Sequence, residues 1–283
     1  MPSQRQLRRT LEEDINGISN LSINISRNQH KHQTQFLKEI VNILMDANPE
    51  LDIDKIKKSV HFSNLHHFRK YRDSGHPAVS HDYHVGYILA YWGLGDDAVI
   101  TGLSHDLIED SEEKNIPYHQ NKKRRLNIID QINRNFGSSV LLGVLALSKP
   151  PDSRLMDITQ KIDEIIEQTY DIKAIREELN SLNQTYSKIE SKEIDRILYQ
   201  QLEEFKTMYP NIDFFNHARV ADNIANLLTK QYMRPNNGMT AEQRQQRFCE
   251  TSEQYVLPLA REIDQEGTIE MRIAPYIREL ITK

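Results

Sequence analysis

Residues 105–110 read H-D-L-I-E-D: His105, Asp106, Glu109 and Asp110 are four ionisable side chains in six positions, at the end of an otherwise apolar run that begins near Ala98. Buried imidazoles and carboxylates are costly unless they are paired or bind a metal. On a helix, Glu109 lies one turn beyond His105 and Asp106, and Asp110 one turn beyond Asp106. One helix face could then carry two metal ligands and two acid/base groups. A mixed N/O site needs more ligands than one helix supplies. Candidates are His81, just after a Gly-Pro loop, and Asp222, which with Asn226 one turn on forms a polar pair in an apolar helix. His81, His105, Asp106 and Asp222 would make a His2Asp2 set suited to Mn, Fe, Co or Zn, and to Mg less well. Water bound there becomes a nucleophile near neutral pH.

The elements that must position these groups read as helices almost throughout. Only 10 Gly and 10 Pro punctuate 283 residues, and no period-2 series suggests strands. Helical spacing predicts elements over 36–45, from 51 to about 60, and over 81–94, 98–110, 125–136, 140–147, 214–231, 240–262 and 268–282. Residues 61–80 read as polar loop, punctuated by Gly75 and Pro77. Residues 152–206 lack Gly and Pro and are rich in Glu, Lys, Gln and Ile. They predict an exposed helical insertion whose apolar stripe could also serve a partner helix or a dimer. The expected architecture is one all-α domain over 1–283, with the 152–206 insertion and C-terminal helices over 240–283.

The 36 basic and 41 acidic residues leave a net charge of −5, which argues against a surface that coats nucleic acid. A single cysteine, Cys249, excludes an internal disulfide and makes a reducing, cytoplasmic setting the expectation, with signal-independent secretion left open. No stretch approaches the roughly 20 apolar residues of a membrane span.

A histidine, then His-Asp, then a distant Asp is the pattern of HD-superfamily phosphohydrolases. The likeness is closer still to the hydrolase domain of the RelA/SpoT family. Arg72, Ser74, Gly75, Pro77 and His81 resemble its R-x-S-G-E-P-x-x-x-H stretch, and 105–110 its H-D-x-x-E-D. Phe136, Gly137 and Val140 through Lys149 resemble F-G-x-x-V followed by G-V-T-K, and 220–226 resembles L-A-D-R-x-H-N. The order and spacing fit over about 60–150 and again near 215–230. The resemblance implies a compact all-α, Mn²⁺-dependent hydrolase that removes the 3′-pyrophosphate from guanosine tetra- and pentaphosphate, here as a stand-alone small alarmone hydrolase. It assigns His81, His105, Asp106 and Asp222 to the metal, and Glu109 and Asp110 to the attacking water. Arg72, Ser74 and Asn226 would contact the nucleotide.

The chain departs from the family at His76, Ala78, Asp82, Asn223 and Ala225. None of these removes a proposed ligand, but several would alter the pocket wall. An adenosine alarmone, NADPH or a nucleotide monophosphoester is therefore an alternative substrate, and a degenerate nucleotide- or partner-binding module is the non-enzymatic alternative. His61, His66, His67 and His84 read as surface or supporting residues and Lys70 as solvated charge, while the basic run 122–125 reads as a helix start and is the best candidate for a phosphate-attracting patch.

Overall fold

A computed structural model describes residues 2–27, 33–72, 75–111, 118–148, 191–235 and 239–283. Among these the chain is all-α, consistent with an HD-type helical bundle, and the β-type pairing is an isolated bridge between Tyr71 and Pro77. The helices are α1 (Gln4–Arg27), α2 (Gln33–Ala47), α3 (Ile53–His66), α4 (Val79–Tyr91), α5 (Asp96–Ser104), α6 (Leu107–Asp110), α7 (Tyr118–Phe136) and α8 (Ser138–Leu147). They continue with α9 (Ser191–Met208), α10 (Phe215–Thr229), α11 (Ala241–Thr251), α12 (Leu257–Glu266) and α13 (Ile273–Thr282). A 3₁₀ turn, Lys230–Tyr232, extends α10, and a π-type turn, Ser252–Val256, joins α11 to α12.

Helix α4 is the axis of the fold. Every residue from Val79 to Ala90 is buried, and α1, α2, α3, α5 and α10 all pack on it. A helix buried all round is expected to be apolar all round. This one carries His81, Asp82 and His84 in its first two turns, so each has to find a polar partner inside the protein. That requirement builds the site.

The neighbouring helices have legible starts. Asp52 caps α3 by accepting from the backbone N–H groups of Asp54 and Lys55. Asp96 and Asp97 place negative charge on the first turn of α5. Thr240 and Gln243 form a reciprocal capping box at the start of α11. No described helix is long and apolar enough to cross a membrane.

Four differences from the sequence expectations have physical causes. Helix α1 was not anticipated: its buried Leu11, Ile15, Ile18 and Ser22 keep helical spacing, but charged neighbours dilute the pattern. Residues 61–66 belong to α3 rather than to a loop, because the buried Ser63 and Asn64 continue its inner face. The 98–110 helix breaks at His105 and Asp106 into α5 and α6. There the His105 ring Nδ1 donates to the Gly102 carbonyl at 2.9 Å, a side-chain bond that competes with helix continuation.

The fourth difference lies in the expected projection. Of 152–206, residues 152–190 lie outside the described residues. The rest belongs to α9, which packs on α8 and α10 with Leu202 fully buried and Tyr199 stacked on Tyr255 at 4.6 Å between ring centroids.

Candidate metal centre

His81 comes from the first turn of α4, and His105 and Asp106 from the break between α5 and α6. Each offers a donor atom within 4.8 Å of the other two. His105 Nε2 lies 3.2 Å from Asp106 Oδ1, His81 Nε2 lies 4.0 Å from Asp106 Oδ2, and the two imidazoles meet edge-on with centroids 5.0 Å apart. Asp222, from α10, lies beside both rings. Its Oδ1 is 3.0 Å from His81 Nε2 and 3.7 Å from His105 Nε2. The four residues expected to form one cluster are therefore brought together across 141 positions of sequence, by α10 packing on α4 and α5.

The donor set suits a divalent transition metal. With Nδ1 held by the Gly102 carbonyl, His105 presents Nε2 to the cluster, and Nε2 is buried with no hydrogen-bond partner of its own. Fixing the far ring nitrogen on a carbonyl is how ligating histidines are usually oriented. Three carboxylates shape the electrostatics. Burial pushes the His105 pKa down, but Asp106, Asp82 and Asp222 more than offset it and raise it to about 9. Burial alone would raise Asp106, yet His105, His81 and Arg72 hold it down at about 2. Asp222 is likewise held well below the usual carboxylate range, against burial, by His81, His105 and Arg219. His81 is lowered by burial and by the Arg72 charge.

These groups line one wall of a cavity of about 810 Å³, within the size range of small-molecule sites. Glu109 and Asp110, on the single turn of α6, face the same cavity. Arg72 Nη2 donates to Asn226 Oδ1 at 3.1 Å, and Arg72 Nη1 is 3.9 Å from Asp106 Oδ2. Asn226 Nδ2 in turn donates to Asp222 Oδ1 at 2.8 Å. Ser74 lies outside the described residues.

Of the family departures, His76 and Ala78 are on the cavity wall. Asn223 and Ala225 are buried elsewhere: Asn223 Nδ2 donates to Ser252 Oγ at 2.9 Å on the π-type turn.

Sequence reasoning missed Arg219 and the reach of Lys70, and gave His67 and His84 no partners. Arg219 is buried, 3.4 Å from Asp222 Oδ2, and donates to the Leu147 carbonyl at 2.9 Å. Lys70 reaches the cavity and donates to the Asp110 carbonyl rather than projecting into solvent. His84 bonds Ser19 Oγ at 2.9 Å, and burial together with the His81, Arg72 and His76 charges drops its pKa to about 3, so it is neutral. His67 and Asp82 form a fully buried pair at 2.8 Å. The signal for Asp82 was available, as a carboxylate inside a stretch that is otherwise core. Nothing in the spacing pairs it with His67. Tyr232, Arg244 and Phe248 also line the cavity. The basic residues Arg124 and Arg125, on α7, are not part of it.

No protein-family profile matches the chain. Over 105 residues, 37% of the chain, it is 30% identical to a guanosine-3′,5′-bis(diphosphate) 3′-pyrophosphohydrolase of Borreliella burgdorferi, of which the match spans 15%. Over 64 residues, 23% of the chain, it is 39% identical to a GTP pyrophosphokinase of Myxococcus xanthus, of which the match spans 8%. The chain thus matches only a small part of the length of each curated relative. These partial likenesses support, at the level they reach, a relation to the RelA/SpoT family.

Proposed function

We propose that this chain is a metal-dependent phosphohydrolase that removes the 3′-pyrophosphate from guanosine tetra- and pentaphosphate. The observation that carries the reading is the His81, His105, Asp106 and Asp222 cluster, gathered from three parts of the fold onto the wall of a nucleotide-sized cavity. The two relatives bear names from opposite directions of alarmone metabolism. The hydrolytic direction is favoured by the donor set, which suits activation of water.

In this reading the four residues would hold a divalent ion, Mn²⁺ by family likeness, which when bound would supply Lewis acidity and a water of lowered pKa. The chain's own residues do the rest. Glu109 and Asp110 stand on one helical turn beside the cluster, and there they orient the attacking water and take its proton. Lys70, Arg72 and Arg219 supply positive charge around the cavity, where charge develops on the transferred phosphorus group. Arg72 and Asn226, bonded to each other, form the nucleotide-facing edge of the metal cluster, with Ser74 assigned alongside them from sequence alone.

A second substrate reading is favoured by His76 and Ala78 on the wall, where the family pattern has other residues. It keeps the chemistry and changes the nucleotide, to an adenosine alarmone or NADPH. Purified protein with Mn²⁺ and guanosine tetraphosphate should release GDP and pyrophosphate. Absence of both products refutes the proposal. A nucleotide panel scored for phosphate against pyrophosphate release separates the two substrate readings.

A further inference from the structure

We propose that His67 is a positioning residue that anchors the Asp110 carboxylate from behind, with Asp82 as its buried counter-charge. The inference rests on the hydrolase reading above, in which Asp110 handles water. His67 Nδ1 lies 3.0 Å from Asp110 Oδ2, and His67 Nε2 lies 2.8 Å from Asp82 Oδ2. The His67 and Asp82 side chains are fully buried, whereas Asp110 is 38% exposed and opens onto the cavity. Both ring nitrogens therefore face carboxylates: Nε2 is hydrogen-bonded to Asp82 inside the protein, and Nδ1 makes a close ion-pair contact with Asp110 at the site, outside hydrogen-bond geometry.

This arrangement is favourable when the ring carries a proton on each nitrogen. The electrostatics agree: burial pushes the His67 pKa down, but Asp82 and Asp110 overcome it and raise it to about 10. Asp82 makes the charge tolerable in the interior, because a buried cation needs a bonded partner. It also sits one residue after His81, so the counter-charge of the anchor and the cluster ligand share the first turn of α4.

A second tie runs in parallel. His67 caps the C-terminal end of α3, its N–H donating to the Ser63 carbonyl, and the chain then turns through Arg69 at φ 62° to Lys70, whose Nζ donates to the Asp110 backbone carbonyl. One loop thus grips Asp110 by side chain and by main chain. Without that grip an aspartate at the exposed end of a four-residue helix would sample several rotamers. A group that must meet water in one direction gains from being held.

The test has two arms, and the first needs no turnover. In ¹⁵N-histidine-labelled protein, His67 should give two slowly exchanging ring N–H signals, and Asp110→Ala should release the Nδ1 signal while leaving the Nε2 signal held by Asp82. Freely exchanging ring protons, or no response to Asp110→Ala, overturn the anchor. In the second arm, His67→Gln keeps a donor for Asp82, which guards against unfolding. Its kcat should fall by about 10- to 100-fold, the usual cost of removing a group that orients a site residue, with KM and Mn²⁺ affinity unchanged. Wild-type kcat in this variant overturns the proposal. So does a parallel loss of kcat, Mn²⁺ affinity and thermal stability, which would mark a purely structural role. Wild-type protein that releases no pyrophosphate refutes the hydrolase reading instead, and the NMR arm still decides whether His67 holds Asp110.

Discussion

Gly102 sits where α5 crosses α4, and replacing it with alanine tests what spaces the ligands. A Cβ there would lie 2.8 Å from Leu89 Cδ1, 3.0 Å from the Gly86 backbone nitrogen and 3.1 Å from the Val85 carbonyl carbon. Two of those three atoms are main chain of α4 and cannot swing aside, so the helices must separate. Overpacking a tight core costs about 1–3 kcal/mol, and the backbone contacts place this case near the upper end. Alanine returns about 1 kcal/mol of helix propensity. The net is a destabilisation of about 2 kcal/mol, or roughly 3–4 °C in Tm for a chain of this size. Gly17 in α1 is the control, since nothing lies within 4 Å of its Cβ position; alanine there should stabilise by about 0.5–1 kcal/mol. Gly102 also carries the carbonyl that holds the His105 ring, and α4 carries His81. Gly102→Ala should therefore weaken Mn²⁺ binding although it removes no ligand. Thermal unfolding with and without Mn²⁺, together with titration calorimetry, measures both effects. A Gly102→Ala protein as stable as the Gly17→Ala control, with wild-type Mn²⁺ affinity, would refute the claim that this crossing sets the ligand spacing.

Four further outcomes follow from the structure. Asp106→Ala should abolish Mn²⁺ binding and turnover together, whereas Glu109→Ala should keep the metal and lose turnover; metal analysis beside kinetics separates them, and loss of metal in both makes Glu109 a ligand. Because His105 has a pKa raised to about 9, it is protonated at neutral pH and must lose that proton to bind metal. Mn²⁺ affinity should then rise with pH up to about 9, with proton uptake by the buffer visible in calorimetry across buffers of different ionisation enthalpy; an affinity flat between pH 7 and 9 contradicts this. The folded-state pKa values of His67 and His105 lie above the unfolded value of about 6.5, so their stabilisation of the metal-free protein is fully present below that pH and is lost as pH rises through 9 to 10. Denaturant titrations of metal-free protein should show that decline, and saturating Mn²⁺ should blunt the His105 part of it. Finally, Thr240→Ala removes the capping box of α11 and should cost about 1 kcal/mol, read as a shift in denaturation midpoint.

What could be read from sequence divides along a physical line. The helical class and the metal candidates were legible because both depend on local patterning. Val99, Ile100 and Leu103 mark a core helix, and polar groups ending such a helix have to be explained. The order His81, then His105 and Asp106, then Asp222 added the family likeness. The break at His105 was not legible, because it turns on where one ring nitrogen finds a carbonyl, and a continuous helix satisfies the same hydrophobic pattern. The pairing of His67 with Asp82 was hidden for a related reason: it joins the end of one helix to the start of another across a loop that no periodicity describes. His67 read as a surface or supporting residue and Asp82 as a departure from a family pattern, and each reading treated its residue alone. Burial changes the question from what a residue resembles to what neutralises it. Asp82 is fully buried and His67 answers it, and the remaining ring nitrogen of His67 then points the argument back to Asp110. The residue that departs from the family pattern is thus tied, through one imidazole, to one of the residues that keeps it. A substitution beside a proposed metal ligand need not signal a degenerate site when its charge is met by a buried partner that also reaches Asp110.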